Sequence, residues 1–359
     1  MTTRDSFVTV ANGDQLDDGY FNEIPVKLSL TKSMLQLVLD LDTNNIFTFT
    51  RANYDNLSWD TFKNTTYYDA GSSSQVVLNN TAKLVALDVD ATNQTYAADM
   101  TGASRDGTYT TDVSAGGTIT FDATDNEEDY VLNGNNTGTI FIQSTATYRD
   151  GRATFKLVKP GLSADASYSG SVQAFGESIS FQINYNGGVP DFLVDSVSYT
   201  TMYLRITKRA GKVKKERSSD GSSWTQISDT ENASIGSAAA LKVTMTGSAN
   251  GVNRDFSLQA MSVDGLYASG YFVSNAVTAG ANALIALGIW SSSAGGSGSS
   301  HSIQLSADNG SNYTTLSAID TATTIGTAGT SLRIKINLTA DTADKQSPYY
   351  SGYAYQWVE

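Results

Sequence analysis

Two acidic runs hold the side chains best suited to bind a metal ion. Asp88 and Asp90 alternate in DVDATN, and Asp122 and Asp125 lie in the denser run DATDNEED. Ca²⁺ takes six to eight oxygen ligands, which carboxylate and amide groups supply. Neither run has the spaced glycine and the final glutamate of an EF-hand loop. We therefore predict no required cofactor, with Ca²⁺ at these four aspartates as the alternative.

A cluster of basic residues lies in LRITKRAGKVKKER. If this stretch forms a β-hairpin, Arg205, Lys212 and Lys214 face solvent while Leu204 and Val213 face the core. A positive face on an acidic protein would attract an acidic glycan or an acidic neighbouring subunit. The favoured alternative is a solvated sheet face, or an edge that lysines protect from pairing with another chain. The three outward cations are candidate ligand or interface residues.

Three aromatic residues alternate in the terminal stretch SGYAYQWVE. In a strand, Tyr353, Tyr355 and Trp357 would share one face. Such a face can present rings to a sugar, or it can pack in the core or in a subunit interface, and the second interpretation is favoured. All three residues are candidate ligand or interface residues.

The side chains that usually perform catalysis are sparse. The chain has no cysteine, and its one histidine, His301, lies in the stretch SSSAGGSGSSHS. A Ser-His pair needs a third group and rigid placement to act as a catalytic triad. Glycosidases need two carboxylates beside the scissile bond, and the sequence nominates no such pair. We predict that the protein is not an enzyme, with a glycan-degrading hydrolase as a rival interpretation.

The composition is typical of a folded β-protein. Hydrophobic residues make up 40% of the 359 residues, which is too much for a disordered chain, while turn and strand formers dominate. The formal net charge is -13, so the chain lacks the basic surplus that neutralises nucleic-acid phosphates. The sequence contains neither a recognisable signal peptide nor an apolar run near the roughly 18–20 residues that span a bilayer. We expect no nucleic-acid partner and no membrane insertion.

Three segments are predicted along the chain. Residues 1–50 form an attachment or assembly segment with a short helix over residues 18–24, which Pro25 ends. Residues 51–280 alternate short strands such as GTIFIQST and SISFQINY with turn signals, as jelly rolls and β-sandwiches do. Residues 281–359 form a smaller β-domain. The predicted fold class is all-β: a jelly-roll or β-sandwich domain, a smaller C-terminal β-sandwich domain and a short, partly helical N-terminal segment.

One short stretch nearly recurs. SSDGSSWTQIS begins at Ser218, and SADNGSNYTTLS begins at Ser306. Each copy continues to Ile-Gly and then to a strand in which Leu241 or Leu332 would face inward. The glycine of each copy supplies the positive φ of a tight turn. We predict one supersecondary unit used twice, with a structural rather than a chemical role.

The stretch YLRITKRAGKVKKERSSDGSSWTQI resembles the strand-turn-strand of concanavalin A-like and laminin-G-like jelly rolls. The resemblance implies this architecture for residues 51–280, while the motif itself covers only the quoted stretch. The discoidin type of sandwich carries a similar DG-x-x-W turn and stays an alternative.

Two further stretches resemble bacteriophage tail-fibre and related virion proteins. One is VANGDQLDDGYFNEI at residues 10–24, and the other joins LSADNGSNYTTL to LRIKINLTADTADKQSPYYSGYAYQW at residues 332–357. The second departs from the usual pattern at Tyr313, where tryptophan is typical, and at Asn309. The resemblance implies a structural virion protein, such as a tail fibre or spike, that is assembled in the host cytoplasm and exposed on the particle surface.

The same resemblance implies partners. We expect a homo-oligomer, with a trimer as the usual assembly, that attaches to other virion proteins through residues 1–50 and binds a host-surface glycan or protein. Two alternatives remain open at this point. One is a capsid-decoration or baseplate scaffold protein without receptor binding, and the other is a lectin-like carbohydrate-binding adhesin.

Overall fold

The computed structural model describes residues 38–40, 46–48, 56–60, 62–99, 109–132, 137–162, 167–186, 189–231, 236–247, 253–293, 295–319, 321–341 and 346–358. Within these ranges the chain is all-β, with 26 strands and no helix. The helix predicted over residues 18–24, and most of the predicted segment 1–50, lie outside the described residues. The described ranges contain no helix of the length and apolarity that crossing a membrane requires.

The strands follow one another along the whole described chain. In order they are β1 (Val38–Asp40), β2 (Ile46–Thr48), β3 (Asn56–Asp60), β4 (Val76–Asn79), β5 (Leu84–Leu87), β6 (Val89–Asp99), β7 (Tyr109–Asp112), β8 (Thr118–Asp122), β9 (Glu127–Leu132), β10 (Gly138–Tyr148), β11 (Gly151–Leu162), β12 (Ser167–Ala174), β13 (Glu177–Asn186), β14 (Val189–Val194), β15 (Val197–Tyr199), β16 (Thr201–Arg209), β17 (Lys212–Ser218), β18 (Thr225–Glu231), β19 (Ala239–Gly247), β20 (Arg254–Leu266), β21 (Ser269–Val273), β22 (Val277–Ser293), β23 (Ser300–Ser306), β24 (Thr314–Thr315), β25 (Thr323–Thr339) and β26 (Tyr349–Val358).

Two antiparallel sheets form the larger sandwich. One has seven strands in the order β15-β14-β13-β12-β19-β10-β7. The other has eight, in the order β18-β17-β16-β11-β20-β9-β8, with β6 also paired to β20. Neighbours such as β12 and β19 are distant in sequence, so the chain crosses between the sheets as it does in jelly rolls. The prediction of an all-β jelly-roll or β-sandwich fold is confirmed.

The facing sides of the two sheets enclose one hydrophobic core. In β16 every second residue is buried, so Met202, Leu204 and Ile206 point inward while their neighbours face solvent. Across the core, Phe181 of β13 lies edge-on to Phe256 of β20, with ring centroids 5.6 Å apart. Such a pair contributes about 0.5–1.5 kcal/mol beyond its buried area.

A nine-stranded sheet surrounds a second, smaller core. Its order is β24-β23-β25-β22-β26-β5-β4, with β21 also paired to β25 and β3 to β26. Strand β25 serves both halves of this sandwich, because its first residues pair with β22 and Arg333 to Thr339 pair with β23. Leu332 and Ile334 of β25 are fully buried in the second core.

The smaller sandwich also takes strands from before the larger one. β3 and β5 pair with β26, and β4 pairs with β5. These strands fall in the range 51–280 that was predicted for the jelly roll, so the sheets do not follow the bounds at 50/51 and 280/281. Hydrophobic strands from both ends of the described chain are needed to close the second core. The extent of independent domains stays a prediction.

The tip of the β16–β17 hairpin joins the two sandwiches. Ala210 at this tip packs against Leu84 of β5, and its carbonyl accepts a hydrogen bond from Asn79 Nδ2 at 2.6 Å. Arg149, which follows β10, donates through Nη2 to the carbonyl of Ser347 at 2.5 Å. Apolar and hydrogen-bonded contacts therefore both link the described surfaces of the two units.

Candidate functional site

The eight-stranded sheet is interrupted where β20 changes neighbours. One edge of β20 pairs with β9 up to Leu258, and from Ala260 onward the same edge pairs with β6. On the other edge, the pairing with β11 passes from Leu157–Leu258 to Lys156–Ala260, so Gln259 is the extra residue of a β-bulge. Bulges redirect side chains and are over-represented beside active sites.

A cavity of about 380 Å³ opens at this interruption, and we call it the sheet-gap pocket. Its volume lies within the roughly 300–1,000 Å³ typical of small-ligand sites. Apolar residues of β6 and β20 contribute part of the lining: Ala97, Ala98, Ala260 and Met261. The polar lining carries amide, hydroxyl, ammonium and carboxylate groups: Gln94, Asp125, Asn126, Lys156, Gln259 and Ser262.

Two residues beside the pocket that are not glycine have a positive φ. Asn126, in the turn between β8 and β9, has a φ of 57°, which asparagine adopts readily in turns. Lys159 lies in a second irregularity of β11 and has a φ of 53°. This conformation is unfavourable for lysine, so the backbone strain beside the pocket is at Lys159.

The ammonium of Lys159 connects two carboxylates at this side of the pocket. Its Nζ lies 2.5 Å from Asp125 Oδ2 and also donates to Glu127 Oε1. The hydrogen bonds to Asp125 and Glu127 raise the pKa of Lys159 above its usual value. Glu127 is fully buried and accepts a further hydrogen bond from Gln259 Nε2 at 3.3 Å. Both carboxylates are therefore occupied by partners on the protein itself.

Lys156 lines the pocket from β11, on the other side of β20 from Asp125. Its Nζ lies 5.5 Å from the centroid of the Tyr203 ring, which is a cation–π contact. In the part of the chain that the structure describes, no carboxylate lies within ion-pair distance of this ammonium. Lys156 is thus a pocket cation that is held by an aromatic ring rather than by an acid.

The four aspartates predicted as calcium ligands each have a local partner. Asp88 accepts a hydrogen bond from Arg209 Nη1 at 2.5 Å, and Asp90 accepts one at 2.7 Å from the hydroxyl two residues ahead. The carboxylate of Asp122 accepts a hydrogen bond from the backbone N–H two residues ahead, and this bond lowers the pKa of the carboxyl group. Asp125 is held by Lys159. Among the described residues, no three His, Asp or Glu side chains are grouped so that they could hold a metal ion. Calcium binding at these four aspartates stays a prediction.

The predicted positive face of the hairpin is neutralised by acids close to it. Arg205 Nη2 and Lys214 Nζ each lie 2.7 Å from a carboxylate oxygen of Glu216. Burial opposes the ionisation of Glu216, but the hydrogen bonds from these two cations outweigh it and lower its pKa. Lys212 is half-buried at the start of β17. Three other cations of the cluster are also paired: Lys215 with Glu177, Arg217 with Asp195 and Arg209 with Asp88.

The three aromatic candidates of β26 lie in the second core. Tyr353, Tyr355 and Trp357 are 3%, 1% and 4% exposed, so their rings offer no surface on which a sugar could stack. Burial raises the pKa of the Tyr355 hydroxyl above its usual value. His301 is exposed, with its Nε2 3.1 Å from the Ser292 hydroxyl and no acid beside the ring in the described part of the chain.

Of the polar residues that line the sheet-gap pocket, Asp125 was predicted as a site residue, as a calcium ligand, and the others were not. The pocket depends on the register between strands that lie far apart in the sequence, and no local pattern reports that register. One signal was present in the sequence. Pro160 interrupts the apolar alternation of KLVKPG, and a proline inside a strand marks an edge or a bulge.

Known proteins match part of the chain weakly in structure and do not match it in sequence. No family model matches it, and no curated protein sequence is similar to it. Among solved structures, a legume lectin-like domain from Entamoeba histolytica is 13% identical, with a TM-score of 0.30 over 43% of this chain and 88% of that one. A β-glucanase of Bacillus licheniformis is 10% identical, with a TM-score of 0.33 over 49% and 99%. The Ca²⁺- and mannose-bound exoplasmic domain of VIP36 is 9% identical, with a TM-score of 0.32 over 47% and 89%. Sequence identities and TM-scores this low say nothing about the function of the chain.

Proposed function

We propose that the protein binds carbohydrate in the sheet-gap pocket. The observation that supports this most directly is the lining, in which the amides of Gln94, Asn126 and Gln259 and the hydroxyl of Ser262 border an apolar surface. Amide and hydroxyl groups both donate and accept hydrogen bonds, as the hydroxyls of a sugar do. The apolar part of the lining suits the C–H face of a sugar ring. A few polar groups placed around an apolar surface are the general design of small-ligand sites.

The pocket is also held in shape before a ligand arrives. Most of its lining residues lie on strands β6, β11 and β20 rather than in long loops. Gln259 is fixed by its hydrogen bond to the buried Glu127, which Lys159 holds in turn. Groups that are already ordered lose less conformational freedom on binding, so more of the contact energy appears as affinity.

The proposal is binding without hydrolysis. Glycoside hydrolysis requires two carboxylates that are free to serve as the acid and as the nucleophile or base. The two carboxylates beside the pocket, Asp125 and Glu127, both bind Lys159. Oligosaccharides incubated with the protein are therefore expected to be recovered intact by mass spectrometry, and new reducing ends would contradict this.

A glycan array followed by calorimetry with the best ligand tests the binding site. Ala260→Phe fills the pocket and is expected to abolish binding. Gln259→Ala removes one pocket hydrogen bond and is expected to weaken binding by roughly 3- to 10-fold. Gln182→Ala, at an exposed position of the seven-stranded sheet, is the matched control and is expected to bind like the wild type. Unchanged binding by both pocket variants would place the ligand elsewhere.

A second, more specific proposal concerns the location and the structural role of the protein. We propose that it is a homo-oligomeric structural protein on the surface of a virion, such as a tail fibre or spike, and that residues 1–50 attach it to other virion proteins. The resemblance of residues 10–24 and 332–357 to virion proteins supports this proposal. A scaffold protein without receptor binding and a cell-surface adhesin are the alternatives.

Light scattering on the full chain and on a chain that begins at residue 51 tests this finer proposal. A trimer that becomes a monomer on truncation is the expected result, with antibody labelling of purified particles as the test of location. A monomer in both forms would argue against the appendage. Binding in the sheet-gap pocket would be unaffected by that result, because it uses residues of the larger sandwich alone.

A further inference from the structure

The charges around the sheet-gap pocket are distributed unevenly. On the β9 side, Asp125 and Glu127 share the ammonium of Lys159, at 2.5 Å in the case of Asp125. On the β11 side, Lys156 stands without a carboxylate partner among the described residues. The pocket therefore has one side where charges are already paired and one side that presents a cation.

The position of Lys156 explains why no acid of the same sheet face reaches it. Across the strands Lys156 lies opposite Ala260 on β20 and Tyr203 on β16. One step along the same face, Thr154 lies opposite Ser262 on β20 and Arg205 on β16, so none of these nearest cross-strand positions is acidic. A cation without an acidic partner can bind an anion from solution without first breaking an ion pair.

The ring of Tyr203 holds Lys156 without neutralising it. Its centroid lies 5.5 Å from Nζ, within the range of a cation–π contact. The other neighbour of the ring is the turn at Gly221, where a Cβ would lie only 2.9 Å from the ring, so the ring is packed from that side. Such support favours one position of the ammonium and leaves its hydrogen-bond donors free for a ligand.

We infer that the sugar bound in the pocket is acidic and that its carboxylate pairs with Lys156; this inference rests on the proposed carbohydrate function. The hydroxyls of the same sugar would meet the neutral groups of Gln94, Gln259 and Ser262. The ligand class is therefore an oligosaccharide that contains a uronic or sialic acid. A sulfated sugar carries the same charge but a different geometry.

Matched glycans and charge variants test this inference. The probes are an oligogalacturonate and its methyl ester, and lactose with its sialylated and sulfated forms. Wild type is expected to bind at least one carboxylated probe roughly 10- to 100-fold more tightly than its uncharged counterpart. Lys156→Gln is expected to remove this preference, Lys156→Arg to keep it, and Lys242→Gln on the opposite sheet to leave it unchanged. The preference of the wild type is also expected to shrink as salt is raised.

The outcomes separate the two proposals. If uncharged glycans bind as tightly as acidic ones and Gln259→Ala still weakens them, the pocket binds carbohydrate but the acidic assignment is overturned. If Lys156→Gln still prefers carboxylated glycans, another cation binds the carboxylate and the assignment to Lys156 is overturned as well. If sulfated lactose binds as tightly as the sialylated form, the carboxylate is not the recognised group. If no glycan binds at all, both proposals fail together.

Discussion

The turns after β17 and β23 have the same local structure in two different sandwiches. The hydroxyl of Ser218 accepts the backbone N–H of Asp220 at 3.1 Å and of Gly221 at 2.9 Å, and donates to the Asp220 carboxylate at 2.8 Å. Ser306 makes the same three bonds to Asp308 and to the glycine of its own turn, at 3.3, 2.8 and 2.7 Å. In each turn the aspartate also accepts backbone N–H groups further along the turn.

The two turns differ by one residue, and the second strand after each turn, β19 or β25, takes a different place. Asn309 is inserted before the glycine of the second turn with a φ of 62°. Its backbone N–H donates a hydrogen bond to the carbonyl of Ser331 at 2.9 Å, and its side-chain oxygen accepts a hydrogen bond from Arg333 Nε at 2.8 Å. Both partners belong to β25, which returns beside β23 in the same sheet. In both units the short strand after the turn pairs with the strand before it, β18 with β17 and β24 with β23. In the first unit the chain then crosses to the seven-stranded sheet as β19. The prediction of one unit used twice is correct for the turn and for this short strand, and wrong for the strand that carries Leu241 or Leu332.

A local motif therefore determines a turn but not the topology of the strands around it. Serine and aspartate satisfy the backbone of either turn with bonds that span only a few residues. The sheet that β19 or β25 joins depends on the core into which the apolar side chains of that strand can pack. Leu241 is buried in the larger core and Leu332 in the smaller one, although both occupy the same place in the repeated sequence.

The largest expected effect comes from those two leucines. Leu241→Ala and Leu332→Ala each delete a fully buried side chain, so each is expected to lower the free energy of unfolding by about 2–5 kcal/mol. Denaturant unfolding measures the loss, and amide hydrogen exchange locates it. Leu241→Ala is expected to speed exchange in β10, β12 and β19, and Leu332→Ala in β21, β23 and β25. Equal acceleration of both sets by either variant would mean that the two strands do not stabilise separate cores.

A smaller effect is expected from the serines that the turns share. Ser218→Ala and Ser306→Ala each remove the acceptor of two part-buried backbone N–H groups, and at about 0.5–1.5 kcal/mol for each lost hydrogen bond the cost is about 1–3 kcal/mol. Because the bonds are the same, the two losses should agree in size. Ser219→Ala, next to Ser218, and Ser317→Ala, at the end of the second repeat, are both at exposed positions, so these controls should change stability little. A loss at one turn alone would show that the two turns are alike in geometry but not in energetics.

Sequence patterns predicted the strands better than they predicted the partners of those strands. The alternation of β16 and the positive φ of Gly221 follow from local chemistry, and both were predicted correctly. The pairing of β3 and β5 with β26 joins residues more than 260 positions apart, and no local pattern encodes such a register. The site was missed for the same reason, since Gln259 faces the pocket only because β20 changes neighbours there.

The pH dependence of stability is expected to change least. It distinguishes the two turns by the carboxyl pKa values of Asp308 and Asp220. Hydrogen bonds from the side chain of Asn312 and from Ser306 lower the pKa of Asp308 to about 2. Backbone N–H groups, led by that of Ser223, lower the pKa of Asp220 further. In both cases the folded-state pKa lies below the unfolded value near 3.9, so each ionised carboxylate stabilises the fold above about pH 4, and this contribution is lost as the pH falls through the folded pKa.

The contribution of Asp308 should therefore disappear between about pH 4 and about pH 2, while that of Asp220 should persist to lower pH. Asn312→Ala is expected to raise the carboxyl pKa of Asp308 in an NMR titration and to leave that of Asp220 unchanged, because only the second turn has this amide bond. A change at both carboxyls would mean that Asn312 acts through the overall stability of the chain. A change at neither would mean that the bonds the two turns share, from the serine hydroxyls and the backbone N–H groups, lower both pKa values without help from Asn312.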